Sequence, residues 1–151
     1  STVPCAPLMD QFRQTLKKVL ELTGLNEPAV SIDAENRKID VYLNEGEWLK
    51  KWLPTLVADL DHLAKLMGRK EGLDSYYLDI NSYRKERERL IVELAKAAAR
   101  KASAAKEEVR LPAMNAYERR LIHVELAVHP SVKTESEGEG RQRCVIVKPI
   151  E

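Results

Sequence analysis

Leu49, Leu53, Leu56, Leu60, Leu63 and Met67 recur every three or four residues across positions 46–68. That spacing gathers them on one face of an α-helix, and such a face needs a second layer to cover it. The neighbouring segments offer strands. Val30-Ser-Ile-Asp-Ala alternates, and so does Ile39-Asp-Val-Tyr-Leu43 after Glu35-Asn-Arg, which predicts a β-hairpin; Tyr76-Tyr-Leu-Asp-Ile80 reads as a third strand. Ahead of them Phe12, Leu16, Val19, Leu20 and Thr23 fall at helical spacing over residues 8–23, ended by Gly24. Pro54 interrupts the leucine stretch, so the helix either kinks there or a second helix begins there. Trp48 and Trp52 lie beside the stripe and are expected in the core, with a partner interface as the sharper alternative.

The second half repeats the mixture. A helix rich in Ala, Lys, Glu and Leu is expected from Ser82 to about Lys106. On it Lys85, Arg89, Lys96 and Arg100 form a basic stripe beside an apolar face of Leu90, Ile91, Leu94, Ala97 and Ala98. Such a stripe could track a phosphate backbone, although an ordinary solvated face is the plainer account. Glu108-Val-Arg-Leu111 reads as a short strand, and Asn115 as the N-cap of a helix to about His129. Val132–Ser136 and Arg143–Val147 close the chain as a hairpin around a glycine turn. The fold class is therefore α+β. Residues 1–80 form one unit (helix, hairpin, helical segment, strand), and residues 81–151 form another, two helices on a small three-stranded sheet. No Ser/Gly-rich linker divides them, so close packing is expected.

Charge adds a direction. The 151 residues carry a net charge of only +1 with 32% charged residues. Residues 1–80 hold 10 Lys/Arg against 13 Asp/Glu, whereas residues 81–151 hold 15 against 11. The positive potential thus sits in the second half, as expected for a phosphate-binding half. Cys5 and Cys144 lie far apart, and with three scattered histidines they make no zinc pattern, so no metal or other cofactor is expected. No apolar run approaches a membrane span, and the start of the chain is too short and polar for a signal peptide. A cytoplasmic protein without direct membrane insertion is the expectation.

The chemistry concentrates near the end. Arg119 and His123 stand four residues apart, one helical turn, and are followed by Thr134-Glu-Ser-Glu-Gly-Glu-Gly-Arg-Gln-Arg143. Tyr117, Leu121, Val124 and Val128 fall in one narrow arc of the same helix, more than 90° from the Arg/His pair. That arc is expected to be the core face, leaving Arg119 and His123 exposed. Guanidinium groups, a hydroxyl and glycine-flanked amides suit the phosphates and sugars of a nucleic acid, and the run supplies no nucleophile–base pair. The expected contacts are Arg119, Arg120, His123, Ser136, the amides around Gly138, Arg141 and Arg143, with Lys85 and Arg89 as further candidates. Arginines would meet phosphates, and His123 would hydrogen-bond or stack on a base or sugar. Glu135, Glu137 and Glu139 find no acid or base partner, so a binding protein is expected rather than an enzyme.

Leu78-Asp-Ile-Asn-Ser-Tyr-Arg-Lys-Glu-Arg87, Tyr117-Glu-Arg-Arg-Leu-Ile-His123 and Thr134-x-Ser-Glu-Gly-Glu with Arg143-x-Val-Ile-Val147 resemble the R-3-H domain of the bacterial Jag (SpoIIIJ-associated, KhpB/EloR) family. The resemblance covers residues 28–149 by order of elements and is specific over 76–149. It implies a KH-like unit followed by an R-3-H domain, and binding of single-stranded RNA or DNA with Arg119 and His123 as the name-giving pair. It further implies pairing with a small KH-only protein and a role in RNA-level regulation of cell elongation or envelope growth. KH domains grip nucleotide backbones with a G-x-x-G loop, because glycine lets phosphates approach the amides. Here Pro54-Thr-Leu-Val57 stands at that place, so the KH-like unit is expected to be a scaffold or a protein-interaction surface. The family's separate N-terminal domain and linker are expected to be absent. The leading function is single-stranded nucleic-acid binding, most readily RNA. The competing one is an adaptor docking protein through the KH-like unit and its Trp48/Trp52 helix.

Overall fold

A computed structural model describes residues 4–150; the outermost residues of both expected units, 1–3 and 151, lie outside them. The chain divides into two compact units, Ser1–Arg84 and Lys85–Glu151.

In the first unit the order is α1 (Ala6–Leu22), β1 (Ala29–Asp33), β2 (Lys38–Tyr42), α2 (Trp48–Gly68) and β3 (Tyr77–Ile80). β1 pairs antiparallel with β2, and β2 pairs parallel with β3. The parallel pair requires a crossover, which α2 supplies. Registration aligns Val30 with Val41 and Ile80, and Ile32 with Ile39 and Leu78. Side chains two apart share a sheet face. These rows therefore make one apolar face, packed with Phe12, Leu16 and Leu20 of α1 and Val57, Leu60 and Ala64 of α2.

α2 is one helix that runs through Pro54. The proline withholds a backbone donor at a cost of about 3 kcal/mol. Leu49 before it and Val57, Leu60 and Ala64 after it are all buried on the same layer, and that packing holds the helix together. Residues 54–57 are thus helix interior rather than a loop. The two tryptophans depart from the expected core position. Trp48 is 50% exposed and Trp52 54% exposed. At 100° per residue they lie about 120° and 80° around α2 from Leu60, on its flank.

Glycine is required where α2 ends. A Cβ on Gly68 would come within 2.7 Å of Leu73 Cβ and 3.3 Å of Phe12 Cε2. Polar side chains finish the sheet. Asp61 accepts the Leu78 amide of edge strand β3 at 2.7 Å, and the Asn81 amide group pairs with both Leu43 N–H and Leu43 C=O at 2.9 Å. Buried Asp79 accepts the Arg84 backbone N–H and so starts the next helix.

That helix, α3 (Tyr83–Ala105), leads to β4 (Val109–Arg110), α4 (Ala116–Leu126), β5 (Val132–Glu137) and β6 (Cys144–Pro149). β6 lies between β4 and β5, antiparallel to both. The whole is an α+β protein, as expected. The second core joins Ile91, Ala95, Ala98, Ala99 and Ala102 of α3 to Ile122 and Leu126 of α4 and to Val132, Val145 and Val147 of the sheet.

Two expected faces are corrected. On α3 the buried arc includes Ala95, Ala99 and Ala102, whereas Leu90 and Ala97 are exposed; Ile91, Ala95, Ala98, Ala99 and Ala102 follow the spacing of a single helix face, and alanines fill most of it. On α4 the expected arc is the solvent side: Tyr117, Val124 and Val128 are 57%, 66% and 89% exposed, and only Leu121 packs partly on the core. Ile122 and Leu126 are the residues turned inward. Among the described residues, no helix is long and apolar enough to cross a membrane.

Candidate nucleic-acid interface

Helix α4 carries the Arg/His pair, and its start is fixed by a reciprocal cap. The Glu118 amide donates to Asn115 Oδ1 at 2.9 Å, while the Asn115 amide donates to Glu118 Oε2 at 3.2 Å. Glu118 also accepts from Arg87 at 2.8 Å, and Tyr117 donates its hydroxyl to Glu88 at 2.8 Å, which ties α4 to α3.

Turning α4 so that Ile122 and Leu126 face inward brings His123 against β5 and Arg119 onto the segment before the helix, instead of out into solvent. His123 is half-buried, and both ring nitrogens are occupied. Nδ1 lies 2.7 Å from Thr134 Oγ1 and Nε2 lies 2.8 Å from Ser136 Oγ. Burial lowers its pKa from the ordinary value of 6.5, and the neighbouring Arg119 guanidinium lowers it further. The ring is therefore neutral near pH 7. The sequence suggested no nucleophile–base contact, yet the fold creates a serine–histidine one across 13 residues, because strand β5 returns alongside α4.

Arg119 is half-buried and donates Nη1 to the Met114 carbonyl at 2.8 Å. The Met114 amide in turn donates to the Arg143 carbonyl at 3.1 Å. Through this one residue the helix arginine is joined to the β5–β6 hairpin. Arg141 and Arg143 are exposed on that hairpin, in and just after a 3-10 turn at Gly140–Gln142. Gly138 permits the turn: its φ is +92°, and a Cβ would stand 3.1 Å from the Gln142 carbonyl oxygen. Arg120 is exposed on α4.

Two of the acidic residues of the same run are disposed of by strand alternation, while Glu139 is exposed at the start of the 3-10 turn. Thr134 and Ser136 point toward α4, so Glu135 and Glu137 point to the other face. There Glu135 is bound by Lys148, and Glu137 by Arg110 at 2.8 Å. Strand β5 thus presents its hydroxyls and its acids on opposite sides.

The structure therefore brings together Arg119, His123, Ser136 and the Arg143 backbone. It treats the α3 candidates differently. Arg89 is held by Glu86 and Glu93, and its pKa is raised by those carboxylates, so its charge is balanced locally. Lys96 of the same expected stripe is 3.3 Å from Glu125, and Lys85 is exposed. Thr134 and Met114 were missed. Thr134 could have been found from its two-residue spacing to Ser136 on a strand; the Met114 contacts are backbone hydrogen bonds with no side-chain signature.

A helix bearing Arg119 and His123, laid on a three-strand sheet whose hairpin supplies Ser136 and two arginines, defines an R-3-H domain, and residues 89–149 match the R-3-H domain family. The chain is 33% identical over 153 residues to the RNA-binding protein KhpB of Clostridium symbiosum, covering 90% of this chain and 69% of that relative. It is also 41% identical over 70 residues to the RNA-binding protein KhpB of Lactiplantibacillus plantarum, covering 46% of this chain and 22% of that protein. The chain belongs to the KhpB (Jag) family.

Proposed function

We propose that the protein binds single-stranded nucleic acid, RNA in preference to DNA, through its R-3-H unit, and that it does so in the cytoplasm. The observation that carries this reading is the joining of Arg119 to the Arg143 segment through Met114, with the Ser136 hydroxyl held by His123 and Glu135 and Glu137 turned to the opposite face of β5. Arg119, Arg120, Arg141 and Arg143 meet phosphates, and Ser136 with the amides near Gly138 completes the cradle. The relatives named as RNA-binding proteins support RNA as the ligand. Fluorescence polarisation with short single-stranded RNA and DNA tests it. Binding that is lost in the Arg119→Ala/Arg143→Ala variant is expected; unchanged binding sinks the site.

The serine–histidine contact does not turn this reading into a hydrolase. A base that takes a serine proton becomes imidazolium, and here the partner of Nδ1 is a neutral threonine hydroxyl, with a guanidinium nearby. Both features work against that ion.

We read the first unit as KH-like, with α2 closing the position where a glycine loop would grip phosphates. A second reading, docking of a small KH-only protein on this unit, is favoured by the half-exposed Trp48 and Trp52. Affinity capture with and without nuclease separates the two. A partner that survives nuclease, with no RNA bound beforehand, supports docking.

A further inference from the structure

His123 shares a helix face with Arg119, but its ring nitrogens are already committed within the chain. Thr134 and Ser136 are two residues apart on β5, about 6.8 Å of strand, and the imidazole spans the gap with contacts of 2.7 and 2.8 Å. We propose that His123 is a positioning residue that acts through Ser136, fixing which way the serine hydroxyl proton points, and does not itself touch the nucleic acid. The inference rests on the reading that this unit binds phosphodiesters.

A neutral imidazole has one N–H and one lone pair, and each hydroxyl has one proton. If Nδ1–H donates to Thr134, Nε2 must accept the Ser136 proton, and Ser136 then turns lone pairs to the site. A phosphate oxygen would be repelled. If instead the Thr134 hydroxyl donates to Nδ1, the ring carries its proton on Nε2 and donates to Ser136 Oγ. The serine proton is then turned outward as a donor. Phosphate binding therefore selects the second arrangement, an ordered chain running from Thr134 through His123 and Ser136 to the ligand. No bond to carbon changes and no net charge moves; only the tautomer is chosen. The depressed basicity of the ring keeps it neutral, so that one tautomer or the other, not imidazolium, is present near pH 7. Arg119, the charged group that acts on the ring, supplies the ligand's positive partner with the guanidinium donors not given to Met114.

Three variants of the full chain test this with a short single-stranded RNA. Ser136→Ala removes the donor, and its affinity is expected to fall about 10-fold, the low end for a hydrogen bond to a charged group. His123→Phe keeps the ring's bulk without its nitrogens, and a similar fall is expected. The Ser136→Ala/His123→Phe double variant is expected to bind no more weakly than His123→Phe alone. Rescue discriminates further. His123→Gln places an amide where Nε2 stood and is expected to recover most of the affinity. His123→Asn reaches only toward Thr134 and is expected to recover little. Nitrogen-15 NMR of the wild-type ring on RNA addition should show the Nε2–H tautomer growing, a change that a purely structural role would not produce. Fold-changes that multiply in the double variant, or a tautomer unmoved by bound RNA, overturn the inference while leaving the binding function intact. A wild-type chain that binds neither RNA nor DNA overturns both.

Discussion

Salt dependence offers the sharpest quantitative check on the R-3-H site, because the structure separates arginines that have carboxylate partners from those that do not. Arg89 and Arg110 are ion-paired within the chain. Arg120, Arg141 and Arg143 are exposed without a carboxylate partner among the described residues, and Arg119 is bonded to a backbone carbonyl only. If these four each neutralise one phosphate of a single strand, the slope of log K against log salt is about −2.8, from roughly −0.7 per contact. Between 50 and 200 mM salt, affinity should then fall about 50-fold. The Arg141→Ala/Arg143→Ala variant removes two contacts, so its slope should shrink to about −1.4 and its fall to about 7-fold. Arg89→Ala should leave the slope unchanged, since Glu86 and Glu93 already hold that charge. Polarisation titrations at four or five salt concentrations measure all three. An Arg89→Ala variant that flattened the slope as much as the hairpin double variant would refute the division of cations drawn from the ion pairs.

Other consequences are independent of nucleic acid. His123 has a folded-state pKa below the ordinary 6.5, so the unfolded chain binds its proton more readily, and the stability it contributes is full above pH 6.5 and lost as pH falls through the folded value. Urea midpoints should drop between pH 7 and 5.5 in the wild type, and less so in His123→Asn; equal slopes would count against the assignment. Gly68→Ala should destabilise the first unit by about 1–2 kcal/mol, overpacking against Leu73 outweighing the helix-propensity gain. Trp48→Ala/Trp52→Ala should cost well under the ~3–5 kcal/mol typical of each buried tryptophan, because both are half-exposed; thermal or chemical melts decide.

Periodicity made the elements legible, and burial made them ambiguous. α1, the hairpin and β3 appear close to where alternation and 3.6-residue spacing put them, because each has one apolar face and little to confuse it. The leucine stripe is the same on both sides of Pro54, so spacing alone could not choose between one helix and two; packing on a parallel pair of strands chose one. On α4 the spacing misled. Tyr117, Leu121, Val124 and Val128 are the more apolar arc, yet Ile122 and Leu126 face the sheet, since only that rotation also lets Arg119 reach Met114 and His123 reach β5. The site residues could be named from the motif. Thr134 and Met114 could not, and neither could the contact of His123 with Ser136, because they meet only after β5 and the segment before α4 have folded back.

Strand β5 stores the polarity of this domain in parity. Even-numbered Thr134 and Ser136 face α4, and odd-numbered Glu135 and Glu137 face Lys148 and Arg110. Sliding the strand by a single residue would exchange the two sets. Carboxylates would then confront His123, hydroxyls would be wasted on lysine and arginine, and an anion-welcoming surface would become an anion-rejecting one without any change in composition. The six residues from Val132 to Glu137 behave as a two-letter text in which frame carries the meaning, and a one-residue insertion here is worth more, functionally, than many substitutions.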